Sequence, residues 1–134
     1  MNKPKILIIE DESLVALELQ CNVISWGYEC PFIAVNGEDA VEWAIQNSPD
    51  IILAEIFQKN GQDNISSIAQ IKNVRDVPVI FFSAYIDEEL MEKALDARPH
   101  CFLLKPLDNQ ELRINVDLAL KKSIPHTSMN QKEK

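Results

Sequence analysis

Ile6-Leu7-Ile8-Ile9-Glu10-Asp11-Glu12-Ser13 is the stretch that decides the fold. Four aliphatic residues in a row read as a strand buried on both faces, because a strand with one wet face would alternate. The run meets three acids at once, and a helical pattern starts near Ser13. Four more runs of this kind follow, at Glu29–Val35, Asp50–Glu55, Val77–Ser83 and His100–Leu104, so that with Lys5–Ile9 there are five. The second holds Pro31, which suits an edge strand.

Helical patterns fill the gaps. The first carries Leu14, Leu17, Cys21 and Ile24 on one stripe and stops at Gly27. The second opens at Asn36, a plausible N-cap, and carries Ala40, Val41, Ala44 and Ile45. The third carries Ile65, Ile68, Ala69 and Ile71; the fourth starts near Asp87 and carries Leu90, Met91, Ala94 and Leu95. The fifth has Asp108 and Glu111 in capping-box spacing, then Leu112, Val116, Ala119 and Leu120. After Lys122 the pattern ends, and residues 123–134 read as a disordered polar tail. Strict strand–helix alternation predicts an α/β domain over residues 1–122, with an open parallel sheet covered on both faces.

Composition sets limits on function. The chain has 134 residues and a formal net charge of −8, which disfavours nucleic-acid phosphates as partners. No apolar run reaches the ~20 residues of a membrane span, and the N-terminus lacks a signal-peptide pattern. The three cysteines, Cys21, Cys30 and Cys101, lie in apolar segments and read as buried free thiols of a cytoplasmic protein.

Ligands of such sheets bind beyond the carboxyl ends of the strands. There the sequence places Glu10, Asp11, Glu55, Ser83 and Lys105. Each alone has a plain structural role: acids cap helices, a serine turns the chain, and a lysine before a proline sits in solvent. Together they make an acidic rim that needs a cation or the lysine for compensation, with donors suited to phosphoryl oxygens.

At this point the chain resembles response-regulator receiver domains. The resemblance rests on Ile8-Ile9-Glu10-Asp11-Glu12, on Pro49-Asp50-Ile51-Ile52-Leu53-Ala54-Glu55-Ile56, on Pro78-Val79-Ile80-Phe81-Phe82-Ser83-Ala84-Tyr85 and on Phe102-Leu103-Leu104-Lys105-Pro106-Leu107, in order. It implies a flavodoxin-like doubly wound (βα)5 fold with strand order 2-1-3-4-5. It implies Mg²⁺ held by Glu10, Asp11, Glu55 and the backbone carbonyl of Phe57. It also implies Ser83 and Lys105 as phosphoryl-binding groups, with Phe102 and Tyr85 as switch residues. The partners implied are a histidine kinase or phosphotransfer protein, and a downstream protein on the face of the fourth helix, fifth strand and fifth helix. No autonomous enzyme activity is expected, and the chain is expected to be a monomer or weak homodimer.

One residue departs from the pattern. Receivers accept the phosphoryl group on aspartate, and here the position holds Glu55. Asp50 lies at the wrong end of its strand, and Asp63 lies in the following loop. Glutamate is longer by one bond, about 1.5 Å, and in-line transfer tolerates little misplacement. Glu55 is therefore expected to imitate the phosphorylated state rather than to be phosphorylated. The alternatives are a normal Mg²⁺-dependent receiver and a vestigial interaction domain without metal or phosphate chemistry. A haloacid-dehalogenase-type phosphatase lacks its paired aspartates here. A dinucleotide binder would need a glycine-rich first turn, where Glu10-Asp11-Glu12-Ser13 stands.

Overall fold

The computed structural model describes residues 3–85 and 87–121. The tail expected at residues 123–134 lies outside the described residues. The element order is β1 (Lys5–Ile9), α1 (Ser13–Ser25), β2 (Glu29–Ala34), α2 (Gly37–Asn47), β3 (Ile51–Glu55), α3 (Ile65–Val74), β4 (Val79–Ser83), α4 (Glu88–Asp96), β5 (Cys101–Leu104) and α5 (Asn109–Lys121). All ladders are parallel and the order is β2-β1-β3-β4-β5, as expected. β2 is an edge strand, and its register against β1 shifts beside Pro31, between the pairs Lys5–Glu29 and Leu7–Phe32. Val77 and Pro78, expected inside the fourth strand, lie before it: Pro78 has no N–H for the ladder, and its carbonyl accepts from Ile52 N at 3.0 Å.

Alternation along each strand divides the core into two layers. Leu7, Ile9, Ile52, Ala54 and Phe81 face α2, α3 and α4. Ile6, Ile8, Ile51, Leu53 and Phe82 face α1 and α5. Every residue of β3 and β4 is buried. Each large side chain so buried contributes about 1.5–3 kcal/mol from solvent exclusion, which is what fixes the strand ends in space.

Helix ends follow their caps. Asp39 N donates to the Asn36 side chain at 2.9 Å, and Leu90 N donates to the Asp87 side chain at 2.8 Å. Glu111 N donates to Asp108 at 3.0 Å. Gly27, just past α1, has φ +99°, a left-handed conformation that suits glycine. Gly37 is needed for a different reason. A Cβ there would lie 2.0 Å from Ser67 Oγ, so its lack of a side chain lets α2 approach α3.

The face of α1 differs from expectation. Leu14, Leu17, Cys21 and Ile24 point to solvent, and Leu14 is 84% exposed. The buried residues are Ala16, Leu19 and Val23. Leu14-Val15-Ala16-Leu17 is apolar on nearly every side of the helix, so periodicity offers two stripes and packing chooses the narrower one. Cys21 is consequently exposed, Cys30 is buried and Cys101 is half-buried, and no disulfide joins any of them. On the other helices Ala69, Ile45 and Leu95 also fall outside the core, at the margins of their stripes.

Candidate functional site

Parallel strands present all their carboxyl ends on one side, and the rim residues arrive there together. Glu10 follows β1 and is 2% exposed; Glu55 ends β3 and is 7% exposed; Ser83 ends β4 and is 1% exposed. Lys105 follows β5, and its backbone N–H donates to the Ser83 carbonyl at 2.8 Å. With Asp11, Phe57 and Tyr85 these residues surround a hollow of about 190 Å³.

The Lys105 ammonium is the centre of the site. It lies 2.6 Å from Glu55 Oε1 and 3.2 Å from Glu10 Oε1. It also stands 5.4 Å from the centroid of the Phe82 ring. The second oxygens of both acids take backbone donors: Glu12 N to Glu10 Oε2 at 3.1 Å, and Phe57 N to Glu55 Oε2 at 3.3 Å. Asp11 accepts the backbone N–H of Lys59 at 2.6 Å, which ties the loop after β3 to the end of β1. No hydrogen bond among the described residues joins Glu55 to the Ser83 hydroxyl.

Electrostatics follow from burial and from this pairing. Burial pushes the Glu10 carboxyl up, against the Glu12 N–H and Lys105, which favour its charged form. Burial alone would push the Lys105 ammonium down. The hydrogen bond and charge of Glu55, followed by the charge of Glu10, outweigh it and hold Lys105 above its ordinary value. Lys105 therefore remains a cation through the neutral range, and two buried carboxylates share it.

As arranged, the donors do not suit a divalent cation. Lys105 supplies the positive charge between Glu10 and Glu55. Among the described residues no three carboxylate, imidazole or thiol groups converge to hold a metal ion. The implied ligands Glu10, Asp11, Glu55 and Phe57 thus reach one hollow without closing a cage.

The other expected residues lie close by. Phe102 on β5 pairs in register with Phe81 and packs, half-buried, against the α2–α4 layer. Tyr85 is 61% exposed and stacks on Phe57, with ring centroids 5.3 Å apart. Asn64 is the residue whose importance the sequence understated. Buried at 2% exposure, it donates to the Glu55 carbonyl at 2.8 Å and accepts from Gln58 at 2.6 Å. Asp63 pairs with Lys93 of α4 at 2.9 Å, linking the loop after β3 to that helix.

Comparison with known proteins agrees with this geometry. The family model for the response regulator receiver domain matches residues 6–117. The transcriptional regulatory protein PdtaR of Mycobacterium tuberculosis is 30% identical over 116 residues, covering 87% of this chain and 56% of the relative. HptR of Staphylococcus aureus is 28% identical over 131 residues, covering 94% of this chain and 50% of the relative. The chain thus spans about half the length of these curated relatives. Among solved structures, the signal receiver domain of a modulated diguanylate cyclase from Desulfovibrio desulfuricans superposes with TM-score 0.83 at 30% identity, covering 90% of this chain and 96% of that one. The receiver domain of Erythrobacter litoralis PhyR gives 0.78 at 31% identity, covering 90% and 92%. A receiver domain protein from Methanospirillum hungatei shares the fold at TM-score 0.84 and 17% identity, covering 90% and 96%. The five-stranded parallel sheet, the acidic rim at its carboxyl ends and these matches agree: the chain belongs to the response regulator receiver domain family of two-component signalling.

Proposed function

We propose that this receiver is held towards its switched-on state by Glu55 and does not accept a phosphoryl group in the ordinary way. The observation that carries the reading is the 2.6 Å ion pair between Glu55 and Lys105. The longer carboxylate occupies the lysine that a phosphoryl group would need. It brings about one negative charge where a phosphoryl group brings roughly 1.5 to 2, so the imitation is partial. Ser83, Phe102 and Tyr85 are then the groups that read the state of position 55.

The natural partner is a histidine kinase or phosphotransfer protein. A downstream protein would dock on the α4-β5-α5 face, where Tyr85, Leu95 and Leu104 are each more than half exposed. The chain itself is read as a signalling module without autonomous enzyme activity, working in the cytoplasm with its kinase. Among the described residues no helix is long and apolar enough to cross a membrane.

Incubation with acetyl phosphate and Mg²⁺, followed by intact mass, tests the reading. The wild-type chain is expected to gain no phosphoryl group, and Glu55→Asp is expected to gain one. A stoichiometric, acid-labile gain on wild-type Glu55 would restore the ordinary receiver. Failure of both proteins would favour a vestigial site.

A further inference from the structure

A second hollow among the described residues lies at the opposite end of the sheet from the acidic rim. It measures about 720 Å³, within the size range of small-molecule sites, and opens where β1 begins, between the end of α1 and the last turns of α5. Its aromatic walls are Trp26 and Tyr28, both partly exposed. Arg113 stands over the Trp26 ring with its guanidinium carbon 6.0 Å from the centroid.

The charge pattern runs against that of the chain. In a protein of net charge −8, this hollow gathers Lys3, Lys5, Arg113 and Lys121 against Asp50 and Asp117. Both acids already have protein donors. Asp50 accepts from Lys5 N at 2.7 Å, and Asp117 accepts from the Tyr28 hydroxyl. Lys5 Nζ is likewise engaged, donating to the Asn47 carbonyl at 2.6 Å. Lys3, Arg113 and Lys121 form no ion pair among the described residues. Four cations against two acids leave a local excess of positive charge around an indole and a phenol, which favours a flat π-system that carries negative charge.

We infer that this hollow is a second binding site, for a planar aromatic anion of the size of a purine nucleoside monophosphate. The ring would stack against Trp26 beside Arg113, and the anionic group would lie among Lys3, Arg113 and Lys121. The site is separate from the acidic rim and does not depend on the state of Glu55.

The chain carries its own control for a test. Its two tryptophans are Trp26, on this hollow, and Trp43, stacked on Phe32 over α2 on the other face of the sheet. The full ¹⁵N-labelled chain is titrated with AMP, with adenosine and ribose 5-phosphate as the ring-only and anion-only arms. The Trp26 indole resonance is expected to move saturably below about 10 mM AMP, while that of Trp43 stays still. Either half-ligand is expected to bind at least about tenfold more weakly. Arg113→Ala and Lys121→Ala should each weaken AMP by about tenfold without moving the Trp43 resonance. An unmoved Trp26 resonance overturns the inference. So does adenosine binding as tightly as AMP, or undiminished binding by both variants.

Discussion

The two ends of the sheet handle charge in opposite ways. At the carboxyl ends Glu10 and Glu55 are buried, and one lysine is shared between them. At the amino ends most of the charged groups stand at the surface around Trp26 and Tyr28, and Asp50, Asp117 and Lys5 are held by protein hydrogen bonds. A buried charge that loses its partner has no water to turn to, whereas an exposed one does. The carboxyl end should therefore be stiff and intolerant of substitution, and the amino end permissive.

Lys105→Met should have the largest effect. It strands two buried carboxylates, and the cost is expected at about 3 kcal/mol in urea unfolding, because breaking a buried pair by removing one partner is expensive. A loss below about 0.5 kcal/mol would place the pair with ordinary surface ion pairs and erase the contrast. Asn64→Ala comes next. It removes the amide that holds the Glu55 carbonyl, for an expected loss of about 2 kcal/mol. The same variant should raise amide exchange across the loop from Phe57 to Asp63.

At the amino end the expected signature is a pH dependence. Burial, reinforced by the hydrogen bond to Asp117, pushes the Tyr28 phenol up from 10.0 to about 12. The folded state thus favours the neutral phenol. That stabilisation is complete below pH 10 and is lost as pH rises towards 12. Tyr28→Phe should flatten the stability profile across that window, as read by denaturant unfolding at stepped pH, and should cost about 1 kcal/mol at neutral pH. An unchanged slope would detach Tyr28 from Asp117. The smallest effect is expected from Lys93→Ala, which breaks an exposed bridge to Asp63. It should leave the unfolding midpoint within replicate scatter.

The strands and the rim were legible for the same reason. A strand buried on both faces writes itself as a continuous apolar run, and a parallel sheet brings the residue after each run to one side. That logic places Glu10, Glu55, Ser83 and Lys105 together from the sequence alone. It could not choose the buried face of α1, because Leu14 and Leu17 satisfy the helical period as well as Ala16 and Leu19 do. Nor could it find contacts that depend on loop geometry or long separation. Lys59 N meets Asp11 only through the path of the chain after β3. Tyr28 and Asp117 are 89 residues apart, and neither belongs to a motif. The left-handed conformation of Arg98, φ +53°, is likewise invisible in a stretch that reads simply as Arg98-Pro99.

Glu55 holds the receiver switched on only if it sets the state of Ser83, Tyr85 and Phe102. Backbone amide spectra of four states test it most directly: the wild type, Glu55→Gln, and Glu55→Asp before and after acetyl phosphate. If Glu55 imitates the phosphorylated state, the wild-type resonances of these three residues fall near those of phosphorylated Glu55→Asp, and Glu55→Gln moves towards the unphosphorylated form. Wild-type resonances that coincide with unphosphorylated Glu55→Asp, and stay there in Glu55→Gln, would contradict it.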